Sequence, residues 1–363
     1  MMLKKFVQTQ RLGINLSGGN DKVTFYSNFN MMHSGGPYKT ESNDKYCPNN
    51  RYYWFNLRTN IDVKVTDYLK AYMNVTGNVK KEHTPGAGFL NSIYPHLFSM
   101  PSTVYGPLTP SVDNASYSGG EVLVTQNEND SPYGMVNRTG YANYTVTNVY
   151  ANFGLNLNMD FLTKGLSLIG DVAYMSNTTN SLLTTKNYRR YQRDAASSDL
   201  NFVRKGTDDN TTLAYSKGNN EFYDLSYRGR INYTRNFANH YINAMGYALY
   251  QRFEANSALP YMHIMSGIDA SYDYAHRYAL RLVMGYAGSE QYARQSRWTV
   301  TPAVSAAWVI SNEPFMQSIK PVSLAKIRVA YGITADDRNG LGRYSYEDNV
   351  TLNGGGPIGA LQY

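Results

Sequence analysis

The chain has 363 residues, of which 17% are charged, 42% hydrophobic and 34 tyrosine, against 13 Phe and 3 Trp. No run of 18 apolar residues occurs, which excludes a helical membrane span but not a β-barrel. The net charge of +7 comes from scattered Lys and Arg with no cluster of five or six, so nucleic acid is not expected as a partner, and one cysteine, Cys47, excludes a disulfide framework or a cysteine zinc site.

The start, Met1 to Gln10, turns polar before the apolar core of a signal peptide develops. Strict alternation then recurs along the chain. Val23, Phe25, Phe29 and Met31 oppose Thr24, Tyr26, Asn28 and Asn30. Leu57, Thr59, Ile61, Val63 and Val65 oppose Arg58, Asn60, Asp62 and Lys64. Phe153, Leu155, Leu157 and Met159 oppose Gly154, Asn156, Asn158 and Asp160. Each is a strand with one greasy face and one wet face. Marking every such stretch predicts about twelve strands, at 9–17, 22–32, 51–65, 68–81, 144–159, 166–175, 225–235, 241–251, 263–274, 277–286, 298–310 and 322–333.

The connections alternate in length. Short turns near 18–21, 66–67, 160–165, 236–240, 275–276 and 311–321 alternate with longer segments at 33–50, 82–143, 176–224, 252–262, 287–297 and 334 onward. Segments of ten or more residues match tilted transmembrane strands, and loops that are long at one end only are the pattern of an outer-membrane barrel. The fold class expected is therefore all-β, an antiparallel up-and-down transmembrane β-barrel segment of about twelve strands with long extracellular loops, an incomplete barrel. Val63, Leu155, Leu157 and Leu168 are expected outside, and Asp62, Lys64, Asn156 and Asn158 inside. The loops 82–143 and 176–224, rich in Asn, Ser, Thr, Gly, Pro and Tyr with apolar patches, read as folded caps.

Few residues suggest chemistry. Six histidines are spread over the chain with no pair at zinc-ligand spacing. Asp208-Asp209-Asn210 and Asn127-Glu128-Asn129-Asp130 lack the spaced oxygens of an EF-hand loop and read as solvated loops. The Asn-x-Ser/Thr triplets at Asn74 and Asn232 fall within inferred strands, which argues against glycan attachment there. No nucleophile elbow, phosphate loop or dinucleotide fingerprint appears. No catalytic residue, metal site or cofactor is expected, and the chain does not read as an enzyme. Tyr94, Phe98, Tyr105, Tyr117 and Tyr133 decorate the 82–143 loop, where a loop core competes with sugar stacking. Tyr94, Phe98 and Tyr105 are the candidate substrate-binding residues.

Several segments resemble the SusC family, the TonB-dependent outer-membrane transporters of Bacteroidetes. Arg297-Trp298, Pro302-Ala303-Val304-Ser305-Ala306-Ala307-Trp308 and Ser311-Asn312-Glu313-Pro314-Phe315, followed by Leu324-Ala325-Lys326-Ile327-Arg328-Val329-Ala330-Tyr331-Gly332-Ile333-Thr334, match that family's motifs in order and spacing. Leu16-Ser17-Gly18-Gly19 and the hairpin Phe161 to Leu168 are similar as well. Ala335-Asp336-Asp337 departs from the family's usual Gly-Asn. The resemblance implies that 1–363 is part of a TonB-dependent receptor β-barrel whose plug domain, TonB box and C-terminal strands are absent. It implies residence in the bacterial outer membrane and uptake of a glycan or other nutrient. The implied partners are a SusD-like surface lipoprotein, the TonB energy-coupling complex reached through the missing N-terminal part, and outer-membrane lipid. The rival expectation is a non-transport adhesion barrel whose loops bind a host or matrix partner.

Overall fold

A computed structural model describes residues 2–41, 46–87, 93–99, 106–111, 117–197, 200–256, 258–316, 318 and 321–336. In chain order the strands are β1 (Thr9–Gly19), β2 (Val23–Ser34), β3 (Arg51–Lys64), β4 (Leu69–Pro85), β5 (Val122–Leu123), β6 (Gly140–Asn158), β7 (Leu166–Thr185), β8 (Arg190–Arg193), β9 (Phe202–Lys205), β10 (Ala214–Phe237), β11 (His240–Ala255), β12 (Tyr261–Tyr274), β13 (Tyr278–Ser289), β14 (Trp298–Val309) and β15 (Lys326–Gly332). Two short helices, α1 (Ile93–Ser99) and α2 (Pro132–Asn137), lie between β4 and β6. Twelve strands, all but β5, β8 and β9, form one sheet in which each pairs antiparallel with its neighbour in the chain. All twelve expected strands are present. Among the described residues nothing pairs β1 with β15, so the sheet is open.

The long strands run further than alternation suggested. β7 continues to Thr185 and β10 starts at Ala214, with Thr185 opposite Ala214 and Thr178 opposite Glu221. The expected 176–224 loop is thereby corrected to 186–213, and the 82–143 loop to 86–139. Within the added segments, 176–181 and 216–221 are polar on both faces, so no period of two marks them, and the ladder with the neighbouring strand alone fixes them as strands.

Register sorts the side chains. Residues directly opposite each other share a face, so the pairs Val63–Ala71, Ala71–Leu155 and Leu155–Gly170 carry one face across four strands. Leu157 faces Leu168 on that same side. Asp62 faces Tyr72, Tyr72 faces Gly154, Gly154 faces Asp171 and Asp171 faces Arg228 on the other. The polar face is the better covered. Asp171 has a side chain 1% exposed, whereas Leu168 on the apolar face is 43% exposed. Crowding of that kind marks the concave side of a curved sheet, and it agrees with an apolar exterior and a polar interior.

On β13 the apolar face reads Tyr278, Leu280, Leu282, Met284 and Tyr286, each at least 43% exposed. Tyr278 lies opposite Trp308, and Tyr286 stacks on Trp298 with centroids 4.9 Å apart. Eight residues separate the two aromatic levels, about 27 Å along the strand and about 20 Å vertically at the usual barrel tilt, close to the height of an outer-membrane apolar band.

The short-turn end is held by side chains. Asn20 Oδ1 accepts from the backbone N–H groups of Lys22 and Val23 at 2.9 and 2.8 Å, closing the β1–β2 hairpin as an Asx turn. Glu313, nearly buried, accepts from Tyr278 Oη at 2.6 Å and Trp308 Nε1 at 3.0 Å, and those two donors hold its carboxyl below the usual range. Asn312 Nδ2 donates to His276 O at 2.7 Å. The Ser311-Asn312-Glu313 motif is thus a clamp joining two turns.

Candidate functional site

At the long-loop end the connections 86–139 and 186–213 fold into one cap. β5 pairs parallel with β8, and β8 pairs antiparallel with β9, so a three-stranded sheet is built from both loops. Its apolar side gathers Tyr117, Leu123, Tyr191 and Phe202, all buried. Tyr117 meets Phe202 edge to face at 5.4 Å.

Charge ties the same two loops together. Arg190 bridges Asp130 at 3.1 Å and Asp208 and lies over the Tyr188 ring, 4.7 Å from its centroid. Asp209 receives Arg189 at 2.6 Å and Arg204 at 3.1 Å. The Arg189 hydrogen bond, with Arg204 beside it, holds the Asp209 carboxyl below its ordinary value. Lys205 Nζ donates to the carbonyls of Thr125 and Gln126 at 2.7 and 2.8 Å. The acidic runs weighed as calcium loops are therefore engaged by arginines, and among the described residues no three His, Cys, Asp or Glu side chains converge as a metal site.

A second small core anchors the helices. Tyr38, Ile93, Met135 and Val136 are buried together, with Met2, Leu3, Ala87 and Leu97 against them. Burial drives the Tyr38 hydroxyl up to about 12. Glu41 holds Arg138 at 2.9 Å and accepts from Tyr133 Oη. Desolvation and that carboxylate raise Tyr133 well above the ordinary tyrosine value.

The loop aromatics divide accordingly. Tyr117 and Tyr133 serve the cap's own packing. Ile93 and Leu97 on α1 point into the core, so Tyr94 and Phe98, one position on in the helical repeat, face outward. They are 45% and 73% exposed and contact each other edge to face at 5.4 Å. Tyr105 lies outside the described residues. The structure brings Tyr94 and Phe98 into one exposed aromatic pair, a geometry suited to stacking on a ring or an apolar side chain.

Sequence reasoning did not single out the polar wall below the cap. Asp171 accepts from Arg228 Nε at 2.6 Å, with Arg230 Nη2 at 4.0 Å. Towards the β15 edge a hollow of about 590 Å³ is lined by Asp269, Arg281, Ser305, Lys326 and Arg328 among others. Alternation placed these residues on a wet face, but only register collects them from separate strands.

No family model matches the chain. It is 22% identical over 382 residues to TonB-dependent receptor P26 of Formosa agariphila, covering 94% of this chain and 34% of the relative. It is 29% identical over 70 residues to TonB-dependent receptor SusC of Bacteroides thetaiotaomicron, 19% of this chain and 7% of the relative. The chain therefore spans about a third of the length of the first relative. Among solved structures, the RagAB peptide importer in its open-open state superposes with a TM-score of 0.62 at 14% identity, covering 98% of this chain and 39% of the importer chain. The outer membrane transporter YddB of Escherichia coli gives 0.50 at 7% identity, covering 85% and 37%. At such identities the two structures speak for the fold alone. The chain is similar to SusC-like TonB-dependent receptors, and its sheet is the wall of a barrel of the bacterial outer membrane. The proteins it resembles are receptors and transporters, not enzymes.

Proposed function

We propose that this chain, a stretch of barrel wall similar to SusC-like TonB-dependent receptors, forms part of a transporter that takes a glycan or other nutrient across the outer membrane. The observation that carries this reading is the two-faced twelve-stranded sheet with tight turns at one end and a folded cap at the other. In this reading residues 1–363 belong to one barrel, and closure requires further strands at β1 and β15, because unpaired backbone groups cannot face lipid. The tight turns face the periplasm and the cap faces outward. The resemblance adds a SusD-like lipoprotein lid over the cap and energy coupling through TonB. Tyr94 and Phe98, the exposed pair on α1, are then the contacts offered to ligand or lid, and Tyr105 is proposed with them on sequence grounds.

The test is a gene deletion scored for growth on a panel of single glycans and peptides as carbon source. Loss of growth on one source, restored by the intact receptor and again lost when TonB is inactivated, is the expected outcome. Unchanged growth together with lost adherence to host or matrix surfaces would replace transport with the adhesion reading.

A further inference from the structure

The polar face of β2, β3, β4, β6 and β7 carries one unbroken row of asparagines. Asn30 lies opposite Asn56, Asn56 opposite Asn78, Asn78 opposite Asn148, and Asn148 opposite Asn177. Five adjacent strands thus place the same amide at the same level. Asn148 Nδ2 donates to Asn78 Oδ1 at 2.9 Å, and Asn177 Nδ2 donates to Asn148 Oδ1. Asn30 Nδ2 turns instead to Asn28 Oδ1 on its own strand. All five residues are partly exposed.

An asparagine amide has two N–H donors and an oxygen with two lone pairs. A lateral bond to each neighbour uses one donor and one lone pair, leaving one of each for something lying on the row. The row is uncharged from end to end. Two residues along the strands on the same face stand Trp54, on the Lys80 side of the row, and Tyr150, on the opposite, Thr76 side, the latter 42% exposed, so the two rings flank the row. Two cations flank the row: Lys80, beside Asn78, is paired with Glu82 at 3.1 Å, and Arg58, beside Asn56 and opposite Thr76, is exposed.

We infer that this asparagine row is a binding track for a neutral oligosaccharide lying across the strands, its hydroxyls on the amides and its ring faces on Trp54 and Tyr150. The inference rests on the transport reading and names a substrate class for it. Hydroxyls match the row because each both donates and accepts, as each amide still can. The amides recur at the strand spacing, about 4.8 Å, and a pyranose ring in a chain has a comparable breadth. An extended peptide turns its backbone groups to one side only at every second residue, roughly 7 Å apart, and falls out of step with the row. An anionic glycan would find no cation in the row itself and a single exposed guanidinium, Arg58, at its edge.

The test uses the intact receptor purified in detergent, titrated calorimetrically with cellohexaose, maltohexaose, hexagalacturonate and hexaglycine. Two variants are compared with the wild type: Asn78→Leu/Asn148→Leu, and Asn56→Leu, which breaks no side-chain bond seen in the structure. A neutral hexaose should bind. Its affinity should fall about tenfold in the double variant and about threefold in Asn56→Leu, the size expected for one or two lost hydrogen bonds, with the melting temperature of Asn56→Leu unchanged. No binding of either neutral sugar, tighter binding of hexagalacturonate or hexaglycine, or equal affinity in all three proteins would overturn the track. Energised uptake in cells whose half-saturating concentration is the same in the variants as in the wild type would leave the transport reading standing while the track falls, whereas absence of uptake by the wild-type receptor removes the reading itself.

Discussion

Exchanging one apolar residue of β13 for arginine, and then its neighbour, tests the facing of the whole wall. Leu282 lies midway between the aromatic levels at Tyr278 and Tyr286, four residues from each, about 14 Å along the strand. Its side chain is 52% exposed on the apolar face. A basic side chain at the middle of the lipid band costs about 2–4 kcal/mol, so Leu282→Arg should lower the folding equilibrium constant about 30-fold to 1,000-fold. Val283 is one residue away on the opposite face, directly across from Asp269. Arginine there meets a carboxylate already held by Arg281 Nε at 2.8 Å and an aqueous interior, and the change should cost less than about 1 kcal/mol. The assay is folding of the intact receptor into lipid vesicles, read by heat-modifiable migration and by the guanidinium midpoint. Equal losses at the two positions, or a greater loss for Val283→Arg, would refute the facing and with it the polar interior.

Arg190→Ala removes the bridge to Asp130 and Asp208 and should weaken the cap by about 1–2 kcal/mol, seen as faster proteolysis within 194–212 with the strands still protected. The Asp209 carboxyl is depressed from 3.8 by its arginines, so its contribution is fully present above that value and is lost only as pH falls through the lower folded value. Cap proteolysis should accordingly be flat from pH 7 to about pH 5 and rise only below about pH 4. An epitope tag inserted at Gly119-Gly120 in the full-length receptor should stain on intact cells, and a tag visible only after permeabilisation would invert the topology.

Alternation by itself located the twelve strands and their faces, because a barrel wall in lipid imposes apolar and polar character on alternate residues. It placed Leu157 and Asn158 on opposite faces from sequence order alone, and the tight turns followed from the same count. It failed where lipid ends. Ser176, Thr178 and Asn180 alternate with equally polar neighbours, so the extension of β7 to Thr185 rests on pairing with β6 and β10 rather than on any period. The cap was beyond the sequence for another reason. Val122-Leu123 and Arg190-Tyr191 pair across a long separation in the chain, and nothing in either short segment specifies the other. The outward turn of Tyr94 and Phe98 and the burial of Tyr117 followed only once Ile93, Leu97 and Phe202 had found their cores. The asparagine row shows the division most clearly. Every residue of it is plain in the sequence as a polar member of an alternating strand, but whether Asn56 meets Asn78 or a residue two places off is set by the register of the β3–β4 hairpin, which the close packing of the whole sheet fixes and local composition does not.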